Sequence, residues 1–214
     1  MHEQLPAKVR KELALWVNDA YLQDKKIVAL RKSFLSASPF SHLALCDLLL
    51  EKKFAQLERA VRRLPMDRKE ADLFSFLQSG DLLACKDPTI RSFLSFWESD
   101  AFRTYLFLIT GIKTKSIDSA AFCYEAGDYL LCHDDRLSGR KIAYVLQFDT
   151  RKQSDGGALA LLGADRFGRP TAALKRLIPT RNTLTLFKVT KTSHHQVEEV
   201  LSGTRLTVTG WFHA

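Results

Sequence analysis

Apolar residues recur at intervals of three and four through most of the N-terminal half, a spacing that places them on one face of a helix. The predicted helices are residues 6–21, 27–35, 48–63, 88–97 and 100–108. Pro88 suits a first helical turn, Asp100 can cap the last of these helices, and Gly111 can end it. Short apolar runs at 42–46 and 73–77 predict two strands between the helices.

The pattern changes after Gly111 to the alternation of apolar and polar residues that is typical of strands. Strands are predicted at residues 119–125, 129–133, 141–148, 158–162, 183–189, 194–197 and 206–213. Gly, Pro, Asn and Asp separate them, as expected of turns. Short strands at this spacing predict a sandwich or jelly roll, and helices followed by strands predict an α+β fold with buttressing helices.

The length of 214 residues fits one domain. We expect a single catalytic domain over 1–214, mainly helical in 1–111 and with a jelly-roll core in 112–214. The four cysteines form no C-x-x-C pair and are predicted to be reduced thiols in the core. The N-terminus has no apolar signal region, so a cytoplasmic or nuclear protein without a membrane segment is expected.

The formal net charge is +8. A basic surplus of this size favours an acidic or nucleic-acid-rich partner, although it governs solubility and steering more than fold. The basic residues of 25–32 follow a helical pattern and are interpreted as a solvated face.

One stretch combines histidine and carboxylate at strand spacing. In a strand, His133 and Asp135 point to the same face. A histidine from the late strand, either His194 or His195, would complete a two-histidine, one-carboxylate set, which suits non-haem Fe(II) but could also hold zinc. Arg205 follows at the start of another strand and suits the bidentate binding of a carboxylate.

The chain combines an H-x-D motif, a distal histidine and a later arginine, all in alternating sequence. This combination resembles the pattern of the 2-oxoglutarate-dependent Fe(II) oxygenases. Within them, the chain resembles the prolyl hydroxylase family that modifies a decoding-centre protein of the small ribosomal subunit. The matching segments are 129–135, 140–144, 156–157, 195–202 and 210–213. The resemblance implies a double-stranded β-helix, a cupin-like jelly roll. It also implies peptidyl-proline 3-hydroxylation, with a second hydroxylation in some members.

The resemblance also implies roles for individual residues. His133, Asp135 and His195 would bind Fe(II), because the His-Gln-Val run of the family matches His195 rather than His194. Arg205 would hold the distal carboxylate of 2-oxoglutarate, assisted by one of two hydroxyls on its face, Thr209 by resemblance rather than Thr207. Dioxygen is the second cosubstrate, and ascorbate a supporting reductant.

Two positions in the predicted cosubstrate site are less usual. Tyr124 lies on the strand before the ligands, where its hydroxyl could reach 2-oxoglutarate or its ring could belong to the core. Gln147 stands where the ribosomal prolyl hydroxylases usually have a tyrosine that contacts the cosubstrate. Its amide can also donate to a carboxylate, but its reach is shorter.

Two other functions fit parts of the sequence. A nucleic-acid demethylase of the AlkB type would fit the charge, but it carries a second arginine shortly after the first, and 206–214 contains none. A catalytically silent β-sandwich that binds protein or RNA is the other alternative, and the intact ligand set argues against it. The resemblance implies a small-ribosomal-subunit protein as the partner, and we expect a monomer without direct binding of nucleic acid.

Overall fold

A computed structural model describes residues 4–214. Its α-helices are α1 (Ala7–Leu13), α2 (Asp24–Ser36), α3 (Glu51–Val61), α4 (Pro88–Trp97) and α5 (Asp100–Thr110). Short 3-10 helices occupy Asp19–Tyr21, Leu82–Ala84 and Gln153–Asp155.

The first helix is shorter than predicted. It ends at Leu13, and Leu15, expected on its apolar face, is 63% exposed. The chain instead makes a turn at 14–16 and an isolated bridge from Val17 to Leu49, where Asn18 N donates to Leu48 O and Leu50 N donates to Trp16 O. Tertiary hydrogen bonds therefore override the helical periodicity of this segment.

The last helix has the expected end but another start. The Ser99 hydroxyl, not Asp100, accepts from Phe102 N and caps α5. Gly111 ends the helix at φ 79°, a left-handed conformation that a residue with a side chain adopts at a cost.

Eleven strands form one sheet. They are β1 (His42–Cys46), β2 (Asp67–Ala71), β3 (Phe74–Gln78), β4 (Ser116–Tyr124), β5 (Tyr129–His133), β6 (Arg140–Gln147), β7 (Leu159–Ala164), β8 (Pro170–Leu177), β9 (Thr183–Lys188), β10 (His195–Val197) and β11 (Arg205–His213). Neither β2 nor β8 was predicted. Both are edge strands with almost every residue exposed, so no buried face marks them in the sequence.

The sheet runs β1-β9-β6-β11-β4-β3-β5-β10-β7-β8, with β2 attached to β3. Strand β3 joins two halves, because it pairs with β4 through Leu77 and Gln78 and with β5 through Phe74 and Ser75. The two halves face each other across an interior, the arrangement of a double-stranded β-helix. The predicted α+β fold with this jelly roll is confirmed.

Strand β6 shows how the two faces are used. Tyr144 and Leu146 pack with the helices in the larger apolar core, whereas Ala143 and Val145 face the interior between the sheet halves. The helices are held by stacked aromatic rings, among them Trp97 and Phe102 with centroids 4.1 Å apart. The helices thus cover one face of the sheet half that contains β6, and the interior lies on its other face.

All four cysteines are free. The prediction that they lie in the core is wrong, because Cys46 is exposed and the other three are half-buried. None of the described helices is long and apolar enough to cross a bilayer.

Candidate metal centre and carboxylate pocket

Three ligand-type side chains meet at one end of the interior. His133 and His195 lie directly opposite each other in the antiparallel pairing of β5 and β10. Asp135 lies between them, with its oxygens 3.4 Å from His133 Nε2 and 3.1 Å from His195 Nε2. One ligand atom from each residue falls within 4.8 Å of the others, so the three can hold one metal ion.

The position of Asp135 differs from the one predicted. Simple strand alternation was expected to align it with His133, but β5 ends at His133. Asp135 adopts φ 60°, in the left-handed region that aspartate tolerates better than most residues. This turn brings the carboxylate back over the histidines, so the predicted juxtaposition arises from a different geometry.

Both histidines are oriented by their own backbone. His133 Nδ1 donates to Leu131 O, and His195 Nδ1 donates to Ser193 O, each at 2.8 Å. A proton on Nδ1 leaves the lone pair of Nε2 free, and Nε2 is the atom that faces Asp135. The donor set therefore fits a divalent cation such as Fe(II).

The electrostatics of the three residues also favour a cation. Burial alone would raise the pKa of Asp135, but when the Nε2 atoms of His133 and His195 also carry protons, their hydrogen bonds to the carboxylate hold its pKa well below the usual range. Burial also disfavours the charged form of His133 and by itself would lower the pKa of this side chain. The hydrogen bond to Asp135 outweighs burial, so the net shift of the His133 pKa is upward. The carboxylate thus stays ionised, and a metal ion competes with protons for the same atoms.

His194 is not part of the group. Its side chain faces away from His195, and Nε2 donates to Gly168 O at 2.8 Å. The structure therefore separates the two histidines that the sequence had left as alternatives: only His195 lies with His133 and Asp135.

The three residues line a cavity of about 250 Å³ inside the jelly roll. Its walls are largely apolar, with Phe74, Phe76, Phe122, Leu130, Ala143, Val145, Leu159, Phe187, Val197 and Trp211. The polar groups are few: the three ligand candidates, Tyr124, Arg140, Arg205 and Thr209. A small number of polar groups in an apolar cavity is typical of a site that orients a small ligand.

Arg205 is an unpaired cation inside this cavity. It is 1% exposed, and neither Nε nor Nη2 has a hydrogen-bond partner among residues 4–214. Its guanidinium lies over the ring of Tyr124, 5.1 Å from the centroid, and burial lowers its pKa. A buried charge without a partner is costly, so the cavity fits a ligand that brings a carboxylate to these two donors.

The neighbours of Arg205 are those that alternation predicts. Thr209 lines the cavity, whereas Thr207 is fully buried behind it, with its hydroxyl 3.3 Å from that of Thr209. Tyr124 lies opposite Arg205 in the pairing of β11 and β4, and burial raises its pKa to about 12. Tyr124 thus stays protonated and can donate into the cavity.

Gln147 lies deeper than predicted. It is on the interior face of β6, between Thr207 of β11 and Thr183 of β9, but it does not line the cavity. Its Oε1 atom and the Thr183 hydroxyl are buried without hydrogen-bond partners within the described part of the chain. Neither residue lines the cavity, so contact between Gln147 and a cosubstrate stays a prediction.

Arg140 and Trp211 also line the cavity, although the sequence pattern assigns them no role. The guanidinium of Arg140 stacks on the ring of Trp211, 3.4 Å from its centroid, and Nη1 donates to Asp135 O at 3.5 Å. The signal was present, because Trp211 continues the alternation of Arg205, Thr207 and Thr209 along one face of β11.

A family comparison agrees with the fold and the site. The family model of the 2OG-Fe(II) oxygenase superfamily matches residues 119–213, which include all three ligand candidates and Arg205. The chain is therefore similar to this superfamily over these residues.

Its curated relatives are prolyl hydroxylases. The chain is 38% identical over 184 residues to prolyl 3-hydroxylase OGFOD1 of Xenopus laevis, covering 84% of this chain and 36% of that protein. It is 30% identical over 203 residues to prolyl 3,4-dihydroxylase OGFOD1 of Ostreococcus tauri, covering 85% of this chain and 39% of that protein. The chain therefore spans about two fifths or less of the length of these relatives.

A solved structure confirms the fold. A prolyl-4-hydroxylase from Pseudomonas putida superposes with a TM-score of 0.69 at 18% identity, over 86% of this chain and 98% of that one. At this identity the likeness concerns the fold alone.

Proposed function

We propose that the protein hydroxylates a prolyl residue of a protein substrate at the 3-position, with Fe(II), 2-oxoglutarate and dioxygen. The observation that carries the proposal is the unpaired, buried Arg205 in the same cavity as His133, Asp135 and His195. A metal ligand set alone admits many reactions. A carboxylate-binding cation at the far end of the cavity favours a dicarboxylate cosubstrate that reaches the metal.

Each residue then has a definite task. His133, Asp135 and His195 would hold Fe(II), which supplies the oxidising chemistry with dioxygen when bound. Arg205 and Thr209 bind the distal carboxylate of 2-oxoglutarate, and Tyr124 donates a hydrogen bond from the adjacent wall. The apolar walls exclude water, which protects reactive species from side reactions.

The choice of proline rests on the relatives and on the cavity. The curated relatives carry the names prolyl 3-hydroxylase and prolyl 3,4-dihydroxylase. The wall beside the ligands is formed by apolar side chains such as Phe74, Leu130 and Trp211, which suit a non-polar five-membered ring. The resemblance of the sequence supports a decoding-centre protein of the small ribosomal subunit as the substrate. We also propose that the protein is a monomer and acts in the cytoplasm or nucleus.

The test uses small-subunit ribosomal proteins prepared without hydroxylase activity. They are incubated with the protein, Fe(II) and 2-oxoglutarate, then digested and analysed by mass spectrometry. We expect one oxygen to be added to one prolyl residue, with succinate formed in step. His195→Ala should abolish both signals.

The adjacent histidine gives a matched control. His194→Ala should retain the reaction, because that side chain faces Gly168 rather than the ligand group. If succinate forms but no ribosomal protein is modified, the proposed substrate is wrong and the proposed oxygenase activity still holds. Equal loss in both histidine variants would contradict the ligand assignment.

A further inference from the structure

The basic charge of the chain is concentrated in one segment. Residues 166–197 contain seven lysines and arginines and no acidic residue, against a net charge of +8 for the whole chain. Two of the seven are neutralised by partners from elsewhere. Arg181 pairs with Glu51 and Glu58 of α3, and Arg176 pairs with Glu198.

The other five are free to meet a partner. They are Arg166, Arg169, Lys175, Lys188 and Lys191. All five are exposed, and within residues 4–214 none has a carboxylate at ion-pair distance. Uncompensated charges of one sign on neighbouring elements create a field that attracts an anionic partner.

The fold brings three of these residues, Arg166, Arg169 and Lys191, to one surface. The turn between β7 and β8 carries Arg166 and Arg169, and it is joined to the loop before β10 by the hydrogen bond from His194 to Gly168 O. Lys191 belongs to that same loop.

An exposed aromatic ring lies at the tip of this turn. Phe167 is 67% exposed, and the guanidinium groups of Arg166 and Arg169 lie 4.6 and 5.5 Å from its centroid. The carboxylate of Asp165 accepts hydrogen bonds from the backbone N–H groups of Phe167 and Arg169, and it therefore stabilises the turn. We call Arg166, Phe167, Arg169 and Lys191 the basic hairpin patch.

The patch lies at the metal end of the jelly roll. The loop with Lys191 runs straight into His195, and the Ser193 hydroxyl donates to Asp134 O at 3.3 Å, next to Asp135. A partner on the patch would therefore lie beside the loop that leads to the ligand candidate His195.

We propose that the basic hairpin patch binds single-stranded RNA. Lysine and arginine neutralise phosphates, and an aromatic ring flanked by guanidinium groups offers stacking surfaces to unpaired bases. An acidic polypeptide would use the charge but has no need of an exposed phenyl ring on a convex turn. The absence of a second arginine in 206–214, on which the expectation of no direct nucleic-acid binding rests, concerns base recognition in the active site and not this surface. The proposal does not depend on the reaction proposed above.

The experiment measures binding of a fluorescently labelled, mixed-sequence single-stranded RNA by anisotropy, at salt concentrations from about 50 to 200 mM. The test variant is Arg166→Glu/Arg169→Glu/Lys191→Glu. We expect its affinity to fall at least about ten-fold and the slope of log affinity against log salt to decrease by about two, since each single-strand phosphate contact contributes about 0.7. Phe167→Ala should weaken binding by about five-fold or more without changing the slope.

The matched control is Lys11→Glu/Lys25→Glu/Lys32→Glu, which changes the net charge equally at exposed positions of α1 and α2. It should retain wild-type affinity, and thermal unfolding should show all variants folded. Three results would overturn the proposal: no binding by the wild-type protein at low salt, equal weakening in both triple variants, or equal displacement of the RNA by polyglutamate. The last would identify an acidic polypeptide as the partner.

Discussion

Replacing Arg205 by methionine tests whether this cation exists to bind a ligand. Arg205 is 1% exposed and has two donor atoms without partners among residues 4–214. An unpaired buried charge destabilises the fold that contains it. In the absence of 2-oxoglutarate, Arg205→Met should therefore be at least as stable as the wild-type protein, because methionine fills similar space without a charge.

Although Arg205→Met should not destabilise the fold, it should strongly weaken the binding of 2-oxoglutarate. Removing one partner of a buried charge pair costs about 3–5 kcal/mol, which weakens binding by about two to three and a half powers of ten. With Mn(II) bound in place of Fe(II), 2-oxoglutarate at 100 times its Kd should stabilise the wild-type protein by about 2.7 kcal/mol. For a chain of this size that corresponds to a rise in Tm of about 5–10 °C. The variant should show no rise at the same concentration.

A second buried arginine provides the control. Arg151 is 8% exposed and donates to four backbone carbonyls, those of Asp155, Gly156, Ser202 and Thr204. Arg151→Met leaves these acceptors unsatisfied and should cost about 3 kcal/mol or more, a fall in Tm of about 6 °C or more. Differential scanning fluorimetry with and without 2-oxoglutarate gives all values. The reasoning is refuted if Arg205→Met is destabilised as much as Arg151→Met, or if it keeps the ligand-induced rise.

Three further predictions concern other parts of the molecule. His133→Ala should abolish Fe(II)-dependent succinate formation while the circular dichroism spectrum stays unchanged, and activity that survives would remove His133 from the ligand set. Gln147→Leu should weaken 2-oxoglutarate about ten-fold at most, since a neutral hydrogen bond contributes about 0.5–1.5 kcal/mol; Gln147→Tyr should bind at least as well as wild type. Anaerobic titrations with a non-oxidisable metal decide this, and unchanged binding in both variants would place Gln147 outside the cosubstrate site. Burial opposes the ionisation of Asp128, but the hydrogen bonds from Arg68 and Ser75 outweigh burial and lower the pKa of this carboxyl group. The ionised carboxylate therefore stabilises the folded state fully above the unfolded pKa of about 3.9. This stabilisation is lost as pH falls through the folded pKa. Urea unfolding should show the gap between wild type and Asp128→Asn constant above about pH 5 and shrinking below about pH 4, and a gap independent of pH would contradict the prediction.

Much of the candidate site was predictable because strand alternation is a local rule. Arg205, Thr207, Thr209 and Trp211 share one face in the sequence pattern and in β11. The meeting of His133 with His195 is a long-range pairing of β5 with β10, which the pattern alone cannot fix. The resemblance to a family supplied that pairing.

The features that were missed are those without a periodic signal. Strands β2 and β8 have no buried face, so nothing in their residues alternates. Residues 14–21 have helical spacing, but hydrogen bonds to the segment around Leu48 and Leu50 draw the chain out of the helix. The depth of Gln147 could not be predicted either, because alternation gives the face of a strand but not the distance of a residue from a cavity.

The pairing of His133 with His195 has a consequence for the mechanical integrity of the jelly roll. Strand β5 is weakly held: it pairs with β10 at only two positions, separated by a bulge, and with β3 at two. A metal ion bound by both histidines adds a cross-link between segments that lie far apart in the chain, at the point where the backbone ladder is thinnest. Iron at this site would therefore stabilise the contact between the two strands as well as serve the proposed reaction. Amide protons of 129–133 should exchange faster when the metal is chelated, and slow down when it returns.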